Sequence, residues 1–349
     1  LILLLLASDP VTGHFFVMDF TVAHAEKSNI MRVAPRLTID SCMKKHTKSG
    51  GFPAALAAAF LALAVWVAPG YSGSQSQAPK EKQEQPATLP SIPAQELVRR
   101  AINNEEKAST EKVRYMYRLR TESPKGSKTQ ELVETSEGVV GRLIAVNDRP
   151  PSADLRTQDD EKLNTLVKDP QARAKKQKQQ KEDEARVNRM VGSLPDAFVY
   201  EYDATANTSN SDVIHLKFKP NPNWTPPDRE RQVFQGMSGT MLIDSNQERL
   251  VKMEATLFRE VNFGWGFFGH LDKGGQFIVE QSHVGSDRWE TTDMRLHFTG
   301  KILLFKNLNI NEHESASNFR PVPYDLNFAQ GVDLLKKQDG MLADKQLVK

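Results

Sequence analysis

After Pro93 the apolar positions Ala94, Leu97, Val98, Ala101 and Ile102 recur at i, i+3, i+4, i+7 and i+8. That spacing puts one apolar stripe on a short helix with Pro93 in its first turn. The period then changes. Val113, Tyr115, Tyr117 and Leu119 alternate with Arg114, Met116, Arg118 and Arg120, the pattern of a strand with apolar groups on one face and mostly cations on the other. Residues 128–135 and 139–146 flank Ser136, Glu137 and Gly138 and read as a hairpin, because the glycine supplies a positive φ.

Between 152 and 192 the pattern is helical and strongly charged. Leu163, Leu166 and Val167 make one small stripe, and Pro170 divides the segment into two helices. Residues 171–190 carry seven Lys and Arg against three Asp and Glu. Their apolar positions are too sparse for membrane insertion, so the spacing predicts a solvated basic face.

Alternation resumes at 197–202 and 213–219, followed by a Pro-rich loop at 220–227 that suits neither helix nor central strand. Residues 240–243 and 249–261 form a second hairpin around Asp244, Ser245, Asn246 and Gln247. Three more strands are expected at 276–284, 289–298 and 301–310, separated by Gly285, Ser286 and Asp287 and by Thr299 and Gly300. Consecutive short strands with tight turns predict an α+β fold built on an antiparallel meander.

Upstream, Lys44, Lys45, His46 and Lys48 precede an Ala-rich apolar stretch at 52–68, and small or polar residues follow from 70 to 78. This is the order of a secretory signal, and it places the domain outside the cytoplasm. An uncleaved inner-membrane anchor is the alternative, since the stretch reaches the lower limit for a bilayer span. Met43 stands where such a signal begins, so residues 1–42 read as an upstream leader that is not part of the native protein. A genuine leader is the other reading. Residues 79–92 are polar and Pro-containing and form a linker. The domain is expected over 93–320 with its helical insertion at 152–192, and residues 321–349 are set apart as a tail.

The sequence holds 46 basic against 44 acidic residues, and no zinc-finger, RRM or P-loop spacing is present, which argues against a nucleic-acid partner. The single cysteine, Cys42, precedes the signal, so the exported part has no thiol for a disulfide, a cysteine zinc site, a nucleophile or a lipid anchor. Metal ligation would need converging histidines. His283, His297 and His313 fall near one another in the strand plan, yet no H-E-x-x-H or other compact pair occurs, and no metal or other cofactor is expected. No Gly-x-Ser-x-Gly and no distinctive carboxylate pair points to catalysis.

The segment 262–275 stands out, with Phe263, Trp265, Phe267 and Phe268 interleaved with Gly264, Gly266 and Gly269. Rings on an unconstrained backbone suit either a plug at one end of a sheet or contact with an apolar ligand. These four residues are the candidate ligand-binding set.

The element order, with the strand–turn–strand unit Gly239, Thr240, Met241, Leu242, Ile243, Asp244 followed by Arg249, Leu250, Val251, Lys252, Met253, Glu254, resembles the periplasmic lipoprotein-sorting class, the outer-membrane lipoprotein carriers and receptors. The resemblance covers roughly residues 92–315 and extends to uncharacterised exported bacterial proteins with a similar aromatic, glycine-rich segment. It implies an incomplete antiparallel β-barrel, open on one side, with a concave apolar face covered by helices. The function expected is periplasmic, non-enzymatic binding of a lipid or a lipoprotein acyl chain, the protein being soluble after signal cleavage. The alternative is an envelope structural or regulatory module that binds another protein. The long basic insertion departs from the compact carrier pattern.

Overall fold

The computed structural model describes residues 90–108, 113–206, 212–264, 268–285, 288–302 and 306–347. The leader, the signal region and most of the linker lie outside the described residues, as do Trp265 and Phe267.

The expected first helix is α1, Ala94–Ala108, and its stripe Ala94, Leu97, Val98, Ala101 and Ile102 is buried. Next come β1 (Arg114–Ser123), β2 (Gly126–Thr135) and β3 (Gly138–Val146), then α2 (Ala153–Lys168) and α3 (Pro170–Ala197). Asp169 ends one helix and starts the other. Its backbone N–H donates to the Thr165 carbonyl, while its side chain accepts from the N–H groups of Gln171 and Ala172. Pro170 occupies the first turn, where a missing N–H costs nothing.

Strands β4 (Phe198–Tyr202), β5 (Val213–Pro220), β6 (Met237–Asp244) and β7 (Leu250–Leu257) follow, with a 3-10 helix at Glu230–Gly236. Then come β8 (Val261–Phe263), β9 (Gly269–Leu271), β10 (Gln276–Val284), β11 (Arg288–Ile302), β12 (Lys306–Val322) and α4 (Phe328–Leu347). All pairings between these strands are antiparallel, and the main path runs β3-β2-β1-β12-β11-β10-β7-β6-β5-β4. The small β8–β9 hairpin joins it through β9 and β11. The sheet is open, with β3 and β4 at its two ends.

The inserted helical pair therefore carries the chain from one end of the sheet to the other. Ten strands at about 4.8 Å spacing span roughly 43 Å when flat, and the 28 residues of α3 span about 42 Å. A short loop could not make that crossing.

Two cores result. The larger joins α1, the C-terminal part of α3, the 3-10 helix and β4–β12, and includes Phe198, Leu216, Met241, Leu257 and Phe298. The smaller joins Met116, Val133 and Val140 of β1–β3 with Leu163 of α2 and Phe328, Val332 and Leu335 of α4. Met116 is an odd number of residues from Thr121, whose side the larger core shares, so the two cores occupy opposite faces.

The face of β1 that carries its cations is itself partly buried, since Met116 is in the smaller core and Arg118 pairs with Glu131, only 2% exposed, which also meets Arg320. Two expectations change. Thr299 and Gly300 do not form a turn, because β11 continues through them to Ile302. A Cβ on Gly300 would collide with the His270 carbonyl, so this glycine permits the close approach of β9. Residues from 321 on are not a detached tail, since they hold the end of β12 and α4, whose buried residues complete the smaller core.

Candidate functional site

Cross-strand register lines up one residue from every strand of the main path. The row runs Tyr202, Leu216, Met241, Met253, Val279, Met294, Glu314, Thr121, Lys128 and Val146. Leu216, Met241 and Met253 are buried in the larger core, whereas Val279 and Met294 are half-buried at its margin. A parallel row runs Tyr200, Phe218, Gly239, Ala255, Phe277, Leu296 and Glu312. Both rows are apolar as far as β11 and turn acidic at β12.

At this boundary the sheet forks. β11 pairs with β12 from Asp293 to Ile302, but from Arg288 to Thr291 it pairs only with β10, while β12 continues beside β1 to Val322. Two bulges cause the divergence. β11 carries one extra residue between Asp293 and Thr291, and β12 carries another between Arg320 and Ser317, where Asn318 adopts a φ of 57°. The Arg288 guanidinium donates to the Val113 carbonyl at 2.6 Å, and the Tyr115 hydroxyl donates to the Val284 carbonyl at 3.3 Å. The end of the β10–β11 hairpin is thus tied to the start of β1, and the fork is bounded at both ends.

The fork holds an aromatic group and several carboxyls. Phe319 stacks on Tyr117 with centroids 5.1 Å apart and meets Tyr115 edge-on at 6.1 Å. Arg288 lies over the Tyr115 ring and pairs with Glu134 and Glu290. Burial pushes the Glu134 and Glu290 carboxyls up, and Arg288 works against that shift. Glu314 has less support. Burial and the neighbouring Glu312 raise its pKa to about 7, against which it has a long 3.4 Å hydrogen bond from the Thr121 hydroxyl and a small contribution from His313. Burial also raises the Tyr117 phenol, which the charges of Glu134, Glu290 and Glu314 reinforce.

The aromatic segment expected to bind ligand divides. Phe263 packs against the larger core as a partly buried plug, whereas Phe268 is 47% exposed and lies under the Arg229 guanidinium at 4.0 Å. Trp265 and Phe267 are outside the described residues. Among the described residues, His283, His297 and His313 belong to no common group of three possible metal donors. His283 instead meets Trp289 edge-on, and the His313 Nε2 is 2.6 Å from Asp293 Oδ2.

Sequence reasoning ended the last strand at Ile310 and so missed Glu312 and Glu314. The signal is present in the alternation, because Leu308, Ile310, Glu312 and Glu314 keep the period of two while that face turns from apolar to acidic. The participation of Phe319 could not be read this way, because a bulge sets which face it joins.

No protein-family model matches the chain, and neither a curated protein nor a solved structure matches it.

Proposed function

We propose that this chain is a non-enzymatic binding protein of the cell envelope, carrying an amphipathic ligand such as a lipid or a lipoprotein acyl chain on the helix-covered face of its open sheet. The observation that carries this reading is the graded stretch of the row from Met241 and Met253, fully buried, through Val279 and Met294, half-buried, to Glu314. Methionine and valine offer an adaptable apolar track, and a polar end group would meet Glu312 and Glu314. Two neighbouring carboxyls repel an anionic head, so the polar end of the ligand is uncharged or cationic. Export rests on the signal-like order at 43–78. The resemblance to lipoprotein carriers points the same way.

A second reading, a protein-interaction module without lipid, draws on the burial of Leu216, Met241 and Met253 by the protein's own side chains in the larger core. Native mass spectrometry of protein purified from the envelope, with extraction of bound lipid, separates the two. A co-purified acyl lipid supports the carrier. Lipid-free protein that also fails to bind an uncharged fluorescent acyl probe supports the interaction module. In the first case Met294→Asp should weaken the probe at least tenfold while leaving the fold intact, because it puts a charge in the middle of the track.

A further inference from the structure

Beyond the sheet face just described, the short hairpin β8–β9 presents three side chains that no role has yet claimed. Val261 and Leu271 are buried in the larger core, so by alternation Asn262 on β8 and His270 on β9 point outward, and the adjoining Glu260 and Asp272 continue that outward face. The donor atoms of Glu260, His270 and Asp272 all lie within 4.8 Å of one another.

Several features distinguish this trio from scattered surface acids. The donors are of two kinds, an imidazole nitrogen and two carboxylates, a set suited to a divalent transition ion such as zinc. His270 Nε2 and Asp272 Oδ1 are 3.3 Å apart. Zinc bonds of 2.0–2.1 Å in a tetrahedron place neighbouring ligands about 3.3 Å apart, so this pair already has the separation that one ion requires. Each carboxylate is also held from outside the trio, Asp272 by the oxygen that does not face His270. The Thr299 hydroxyl on β11 donates to Asp272 Oδ2 at 2.7 Å, and the Asn262 amide donates to Glu260 Oε1 at 2.8 Å. Such outer hydrogen bonds orient ligand carboxylates and leave the second oxygen available. The strands beneath are anchored by Leu271 and by pairing of β9 with Gly300, Lys301 and Ile302; His270 lies on β9 itself, and Asp272, just past its end, is held by its N–H donating to the Thr299 carbonyl at 2.9 Å.

We propose that Glu260, His270 and Asp272 form a surface site for one divalent transition-metal ion, with water completing the coordination. One group opposes it: Lys301 is the cross-strand neighbour of His270. Its side chain is exposed and flexible, so it can turn away when an ion binds, at some cost in affinity.

The test is calorimetric titration of the full chain with zinc chloride alone, repeated on variants whose folding is checked by circular dichroism. One equivalent should bind, His270→Ala and Asp272→Asn should each weaken that event at least tenfold, Thr299→Val should weaken it severalfold, and Lys301→Ala should strengthen it. The Lys301 arm has a readout that damage to the fold would not produce, because damage does not raise affinity. Absence of zinc binding, or binding unchanged in the His270→Ala, Asp272→Asn double variant, would overturn the proposal. Failure of lipid binding would leave it untouched, since the two sites share no residue.

Discussion

Met294 on β11 stands directly opposite Glu314 on β12. The apolar side chain that closes the run from Tyr202 to β11 thus faces an acid that burial and Glu312 hold at a pKa of about 7. A methionine cannot solvate that carboxylate, and on its other side the acid faces Thr121, whose hydroxyl donates to it at 3.4 Å. The neighbour across the sheet sets the chemistry of the side chain.

The first prediction concerns pH. A carboxyl with a raised folded-state pKa binds more protons in the folded chain than in the unfolded one, so stability falls as pH rises from about 4.5 through about 7. For a half-buried group the loss is on the order of 1–3 kcal/mol. Glu314→Gln should remove this part of the pH dependence. Urea unfolding of both proteins at pH 5 and pH 8 measures it, and equal differences in the two would show that Glu314 does not titrate as described.

Glu105 at the end of α1 grips β7. Arg249 donates to its two oxygens at 2.8 and 2.9 Å, the Leu250 N–H donates at 3.1 Å, and the paired side chains are only 15% and 9% exposed. Glu105→Ala should cost about 3–5 kcal/mol, because it strands a buried guanidinium. Adding Arg249→Met should recover much of that loss. A double-mutant cycle by chemical unfolding gives the coupling directly.

The divided aromatic segment makes a paired prediction. Phe263→Ala removes a ring packed on the core and should cost about 2–3 kcal/mol, while Phe268→Ala removes an exposed ring and its cation–π contact and should cost about 0.5–1 kcal/mol. Melting temperatures of the two variants would rank them. A larger drop for Phe268→Ala would reverse the assignment of plug and surface ring.

Gly239 sits in the second row between Phe218 and Ala255. A Cβ there would press on the Glu254 carbonyl and the Ala255 Cα of the paired strand. Backbone cannot yield as a flexible side chain can, so Gly239→Ala should destabilise by about 1–3 kcal/mol even though alanine suits a strand better than glycine. Equilibrium unfolding decides it, and an unchanged or raised stability would mean that the two strands are further apart than described.

Much of the architecture was legible locally. The stripe of α1, the division of the insertion at Pro170 and the hairpins around Gly138 and Asp244 follow from periodicity and turn chemistry, which depend on neighbours within a few residues. The antiparallel arrangement followed from the order of the strands and their tight turns, whereas an open sheet was what the resemblance to lipoprotein carriers implied. Thr299 and Gly300 misled for a physical reason, since a glycine that ends a strand and one that admits another backbone read alike in one dimension.

What only the tertiary structure decided is what meets across the sheet. Pairing of β1 with β12 joins residues almost two hundred positions apart, and that register alone places Thr121 beside Glu314 and Phe319 on Tyr117. The crossing from β3 to β4 likewise explains why the insertion is long, a need that its own residues do not express. Periodicity reports which face a side chain takes. Which partner it finds there depends on register and bulges, and these are settled by the packing of all the strands together.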